Sequence, residues 1–150
     1  MLAKDVLQLI LNFDLERYFY ENKLEQLISS KKYEKTSISS PWHTAESAGG
    51  VAFSPECPDL SRLHAIVTSR RILNVLEFGS GQSTKVIAHA LKQNYLNYKD
   101  DVAQIRRANP FRITTLESER KYANELEIWL QSSNLEAFVD IHIVEAKQTT

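Results

Sequence analysis

The chain has 150 residues, 19 acidic and 18 basic side chains and a formal charge of −1, so its overall electrostatics give no reason to expect nucleic acid or an anionic membrane. A composition of 43% apolar and 25% charged residues is that of a globular protein, and the length suits one domain with a real core. The single cysteine, Cys57, excludes an intramolecular disulfide and any multi-cysteine zinc site.

Leu2, Val6, Leu9, Ile10 and Phe13 fall on one face of a helix. The apolar run within it is broken by Gln8 and Asn12, lies far short of a membrane span of about 20 residues, and lacks a small-residue cleavage site. With the lone cysteine, this predicts a cytoplasmic protein that neither crosses nor sits on a membrane. A second helical pattern runs through Leu15, Tyr18, Phe19, Leu24, Leu27 and Ile28, with Asn12 or Asp14 as its cap. Residues 1–53 thus read as a helical extension followed by a loop rich in Ser, Lys, Pro and Gly. The extension either packs on the main domain or serves as a lid or dimer contact.

Residues 54–150 read as α/β. Ser54-Pro55 predicts the start of a helix running to about Ser69. Ile72 to Phe78 is a short apolar run stopped by glycine, the pattern of a strand buried on both faces. A helix is predicted from about Ser83 to Tyr95, then a polar stretch over 97–110 in which Val102 and Ile105 hint at a short helix. Phe111 to Glu117 is the second strand. A helix capped by Ser118 follows, with Tyr122, Leu126, Trp129 and Leu130 on its core face. The third strand, Phe138 to Val144, alternates apolar residues with Asp140 and His142, which suits a sheet edge. Strand–helix–strand–helix–strand at this spacing implies right-handed crossovers and a parallel sheet.

Two of the four glycines, Gly79 and Gly81, sit just past the first strand. There they allow a tight turn and close approach of a ligand, and the next helix offers unpaired N–H groups to an anionic group. A phosphate-binding G-x-x-x-x-G-K-[ST] loop and a dinucleotide G-x-G-x-x-G turn both require glycine where Thr84 stands. The string Glu77-Phe-Gly79-Ser80-Gly81-Gln-Ser83 instead resembles the acidic-x-G-x-G-x-G motif of class I S-adenosylmethionine-dependent methyltransferases, in the Leu-Glu-Phe-Gly-Ser-Gly-x-Ser-Thr variant of a bacterial subset. Glu117 ends the second strand, where that family places the acid that binds the cofactor's ribose hydroxyls.

The resemblance spans roughly residues 54–145 and is specific mainly over 75–85. It implies a Rossmann-like fold, S-adenosyl-L-methionine as cofactor and methyl transfer to an acceptor. Glu77, Gly79, Ser80, Gly81, Ser83 and Glu117 would be the cofactor-binding residues. Glu77 would order the loop, its bland alternative being a surface ion pair with Arg71 or Lys85. The alternative for Glu117 is a solvent-facing residue at a helix start. The catalytic base is not assigned, and the acceptor could be a small molecule, a sugar or a protein.

The family's sheet has seven strands with the first in the middle, so three strands imply its first half and leave one edge of the first strand open. The expectation is an excised N-terminal portion, or a sheet completed by a partner chain, with a homo-oligomer through the N-terminal helices or the open edge as one form. Two other readings stay open: a non-catalytic Rossmann-like module that pairs with a partner, and a fragment of an NAD-dependent oxidoreductase. His43, His64, His89 and His142 lack metal-pair spacing, so no metal is expected. Of these, His43 beside Trp42 is the one tempting ligand contact, while Cys57 reads as inert.

Overall fold

The structure, a computed structural model, describes residues 14–28 and 56–145. The predicted helix over Leu2–Phe13, the Ser54-Pro55 start and the Trp42-His43 pair lie outside those residues. The chain divides into two compact units, Met1–Arg62 and Leu63–Thr150.

In the first unit, helix α1 (Leu15–Glu21) starts at Asp14, whose carboxylate accepts the Arg17 N–H at 2.9 Å. The second helical pattern does not continue unbroken. Lys23 takes a left-handed conformation (φ 56°), and the chain resumes as a 3-10 turn, Leu24–Leu27. Phe19, Leu24 and Ile28 are buried. The Ser61 hydroxyl, on helix α2 (Cys57–Ser69), donates to the Leu15 carbonyl at 2.9 Å.

The second unit is α/β, with a three-stranded parallel open sheet alternating with helices. Strand β1 (Asn74–Phe78) leads through α3 (Gln82–Val102) to β2 (Arg112–Glu117), then through α4 (Arg120–Ser133) to β3 (Val139–Ile143). The strands lie in the order β1-β2-β3, with Val75 opposite Ile113 and Ile113 opposite Val139. Val75, Ile113, Val139 and Ile141 share one face and meet Ile87, Ala88, Leu91, Leu126 and Leu130 from the helices. Burying each such aliphatic side chain contributes roughly 1.5–3 kcal/mol, and this cluster is the unit's core.

The other face corrects the first-strand expectation. Leu76 is 59% and Phe78 80% exposed, so β1 is buried on one face only. It is also an edge strand, as is β3, the latter as its alternation predicts. Leu73 and Gly79 turn their main-chain groups toward β2. In a parallel ladder Asn74, Leu76 and Phe78 then turn theirs outward, and among the described residues no strand meets them. On the open face Arg112 forms a two-pronged ion pair with Asp140, at 2.7 and 2.5 Å.

Three element boundaries also call for comment. Helix α3 runs on to Val102 rather than stopping near Tyr95, because no proline occurs before Pro110 and its polar last turns can stay in water. Phe111 is buried in a left-handed conformation (φ 65°), so β2 begins at Arg112. Helix α4 starts after Glu119 with no side-chain cap, not on Ser118, since the Glu117 carboxylate already accepts the Glu119 N–H. Its core face is Ala123, Leu126 and Leu130, leaving Tyr122 46% exposed. Trp129 is half-buried at the core's rim with Lys85 over its ring, not fully inside.

Helix α2 ends with Ile72 N–H bonded to the Val67 carbonyl and Arg71 N–H to Thr68, around a left-handed Arg71. The buried Asn94 amide of α3 donates to the Val67 and Ile72 carbonyls at 2.9 and 3.0 Å, fastening this turn to α3. Nearby in sequence, His64 Nε2 and His89 Nδ1 lie 3.0 Å apart, an α2–α3 contact between residues 25 positions apart. Burial, with the His89 ring adding to it, pushes the His64 imidazole down to about 3, and burial lowers His89 as well. Both rings are neutral at pH 7.

Replacing Asn94 with Ala is expected to cost about 1–3 kcal/mol in urea unfolding, because the half-buried Ile72 carbonyl and the buried Val67 carbonyl lose this donor. The His64 ring binds its proton more readily unfolded than folded, so stability is expected to fall as pH drops from about 6.5 toward 3. Urea midpoints across that range should fall less steeply in His64→Gln.

Candidate functional site at the ends of β1 and β2

In parallel α/β units the carboxyl ends of the strands gather the loops that meet ligands. Here Gly79, Ser80 and Gly81 join β1 to α3 at that end. Gly79 has φ +85°, a conformation glycine adopts without cost. Two contacts from β2 hold it there. Its N–H donates to the Leu116 carbonyl at 2.7 Å, and its carbonyl accepts the Thr115 hydroxyl at 2.8 Å.

Glu77, at the end of β1, accepts hydrogen bonds from the Ser83 hydroxyl at 2.5 Å and the Thr84 hydroxyl at 2.6 Å. Thr84 Oγ1 in turn accepts the Gly81 N–H at 3.0 Å. The carboxylate therefore holds the glycine turn against the first turn of α3, and its partners are hydroxyls rather than Arg71 or Lys85. Arg71 lies over the Tyr98 ring and Lys85 over Trp129. Burial pushes the Glu77 carboxyl above its ordinary range; the two hydroxyls oppose this and the nearby Glu117 charge adds to it.

Glu117 is 5% exposed at the end of β2. Its Oε2 accepts the Ser80 N–H at 2.8 Å and the Ser80 hydroxyl at 2.5 Å, and its Oε1 accepts the Glu119 N–H at 2.9 Å. Burial disfavours its charge, but the Ser80 hydroxyl and the N–H groups of Glu119, Ser80 and Ser118 outweigh that and hold its carboxyl below the ordinary range. It is not a solvent-facing residue.

All six residues singled out from the sequence are thus brought together: Glu77 with Ser83, Ser80 with Glu117, and Gly79 and Gly81 on the turn between them. The Ser80–Glu117 contact spans 37 residues of chain and carries no local sequence signal. Thr84 was passed over as a departure from the glycine motifs, yet it is buried and links the turn to Glu77.

Two observations bear on whether the turn fits a cofactor. Gly81 has an extended φ of −177°, open to any residue, and a Cβ there would meet nothing within 4 Å. Neither backbone strain nor crowding among the described residues calls for glycine at that place. A group entering the space in front of it would. Beside it, the Gln82 side-chain oxygen is buried and has no hydrogen-bond partner among the described residues. These features suit a polar ligand lying against the turn.

Elsewhere, the Cys57 thiol is half-buried and raised by burial, which suppresses its thiolate. His142 is exposed on β3. Among the described residues no three His, Cys, Asp or Glu side chains are placed to hold a metal ion, and no helix is long and apolar enough to cross a membrane. The chain matches no protein-family model, no curated protein and no solved structure.

Glu117→Ala leaves the N–H groups of Ser80 and Glu119 without their acceptor and is expected to cost about 1–3 kcal/mol at pH 7. The Glu117 carboxyl is held below its ordinary value, so its contribution is lost as pH falls and the wild-type carboxyl takes up a proton. Urea unfolding of both proteins at pH 7 and pH 3 should show the difference shrinking in acid.

Proposed function

We propose that the chain is the cofactor-binding portion of an S-adenosylmethionine-dependent methyltransferase, with the described strands forming the first half of a Rossmann-like sheet. The observation that carries this reading is Gly81, a glycine that neither φ nor crowding requires, facing open space at the carboxyl end of β1. The acids at the ends of the two adjacent strands support it, since they stand where the resemblance assigns the loop-ordering and ribose-binding carboxylates.

When bound, the cofactor supplies a sulfonium-borne methyl group for in-line transfer to a nucleophile on the acceptor. The chain's own residues bind and orient. Gly79 and Gly81 let main chain approach the ligand, and Glu77 keeps the turn in register with α3 through Ser83 and Thr84. Glu117 offers a charged acceptor to ligand hydroxyls. The N-terminus of α3, a helix of 21 residues, favours a carboxylate in front of it. Residues that would deprotonate an acceptor are not assigned, and a cytoplasmic location is part of the same proposal.

One observation favours a second reading, a non-catalytic module that pairs with another chain. The outer edge of β1 lacks a strand among the described residues, and Leu76 and Phe78 beside it are exposed. Ligand binding separates the two.

Calorimetry is expected to show binding of S-adenosylhomocysteine and none of NADH. Gly81→Leu should abolish that binding while changing stability by less than about 1 kcal/mol, because its side chain enters open space. Wild-type protein that binds neither ligand favours the pairing module, and binding of NADH alone favours an oxidoreductase fragment.

A further inference from the structure

The Oε2 oxygen of Glu117 has no acceptor capacity left in the free protein. An ionised carboxylate offers about four lone-pair positions on its two oxygens. Oε2 takes the Ser80 N–H and the Ser80 hydroxyl, and Oε1 takes the Glu119 N–H. Ser80 alone therefore fills Oε2, so a vicinal pair of ligand hydroxyls, one to each carboxylate oxygen, must displace a donor there.

Two of the three donors to Glu117 are main-chain amides. The Ser80 amide follows Gly79, which is held by the Leu116 carbonyl and the Thr115 hydroxyl, and the Glu119 amide leads into α4. The Ser80 hydroxyl alone turns about a single side-chain bond, χ1, and can leave without moving backbone.

We propose that the Ser80 hydroxyl is a latch on Glu117, which a ligand hydroxyl displaces on binding. This rests on the reading of Glu117 as the acceptor for ribose hydroxyls. The exchange is one O–H donor for another, with no bond made or broken. Its consequence is selectivity. A ligand that brings a hydroxyl replaces the hydrogen bond it displaces, whereas one without it either leaves the latch closed or strands the carboxylate. Ser80 is thus a specificity-determining residue whose removal strengthens binding, the opposite of what an ordinary contact residue would show.

The test is calorimetric titration of wild-type protein and Ser80→Ala with S-adenosylhomocysteine and with its 2′,3′-dideoxy analogue. Ser80→Ala is expected to bind S-adenosylhomocysteine about 3- to 10-fold tighter, the equivalent of one net hydrogen bond no longer lost on binding. Its affinity for the dideoxy analogue should not change. Ser80→Gly, which also lacks the hydroxyl, repeats the measurement should Ala disturb the turn. Equal or weaker binding of S-adenosylhomocysteine by both variants, or an equal gain for both ligands, overturns the latch and leaves the cofactor site standing. No binding by wild type or either variant overturns the site, and the latch with it.

Discussion

The arrangement of the second unit follows from the handedness of its connections. Three parallel strands laid down in the order β1-β2-β3 move always in one direction across the sheet. With right-handed crossovers, both connecting helices must then lie over the same face. Every strand alternates accordingly: Val75, Ile113, Thr115, Glu117 and Val139 point toward α3 and α4, and Leu76, Phe78, Thr114 and His142 point away. The exposure of Leu76 and Phe78 is thus a property of the topology, not of those residues. The same constraint collects the carboxyl ends of all three strands on one side, where the glycine turn lies.

At that end, two glutamates one strand apart are driven in opposite directions by what surrounds them. Glu77 is half-buried at the turn and accepts from two hydroxyls, which do not outweigh the cost of desolvating its charge. Glu117 collects one hydroxyl and two main-chain amides, and its hydrogen bonds do outweigh it. Glu77 thus works inward, tying β1 to α3, and Glu117 holds the negative charge of the site. A shared residue type conceals a division of labour set by donor count.

The elements and their order were readable in the sequence because hydrophobic period and glycine position report on local structure. What failed was whatever depends on the far side of a contact. The run from Ile72 to Phe78 is equally apolar whether one face is covered or two, so only the sheet order reveals that Leu76 and Phe78 stay bare. Helix α3 outlasts its apolar pattern because solvent supports its final turns as well as a core would. The candidate site was legible as residues but not as bonds. Gly79 and Gly81 announced a turn, while the hold of Glu117 on Ser80 and the meeting of His64 with His89 join positions too distant for any local pattern to show.

Helix α3 also has consequences for how the unit breathes. At 1.5 Å per residue its 21 residues reach ~31 Å, while the six residues of β2 span ~20 Å. Roughly two turns therefore run on beyond Tyr95, whose ring still meets Phe111 and Phe138 at 5.7 and 5.8 Å. Amide exchange along this one helix should be graded, slow in the buried turns from Ile87 to Leu91 and fast beyond Tyr95. Fraying then begins at the end remote from the glycine turn.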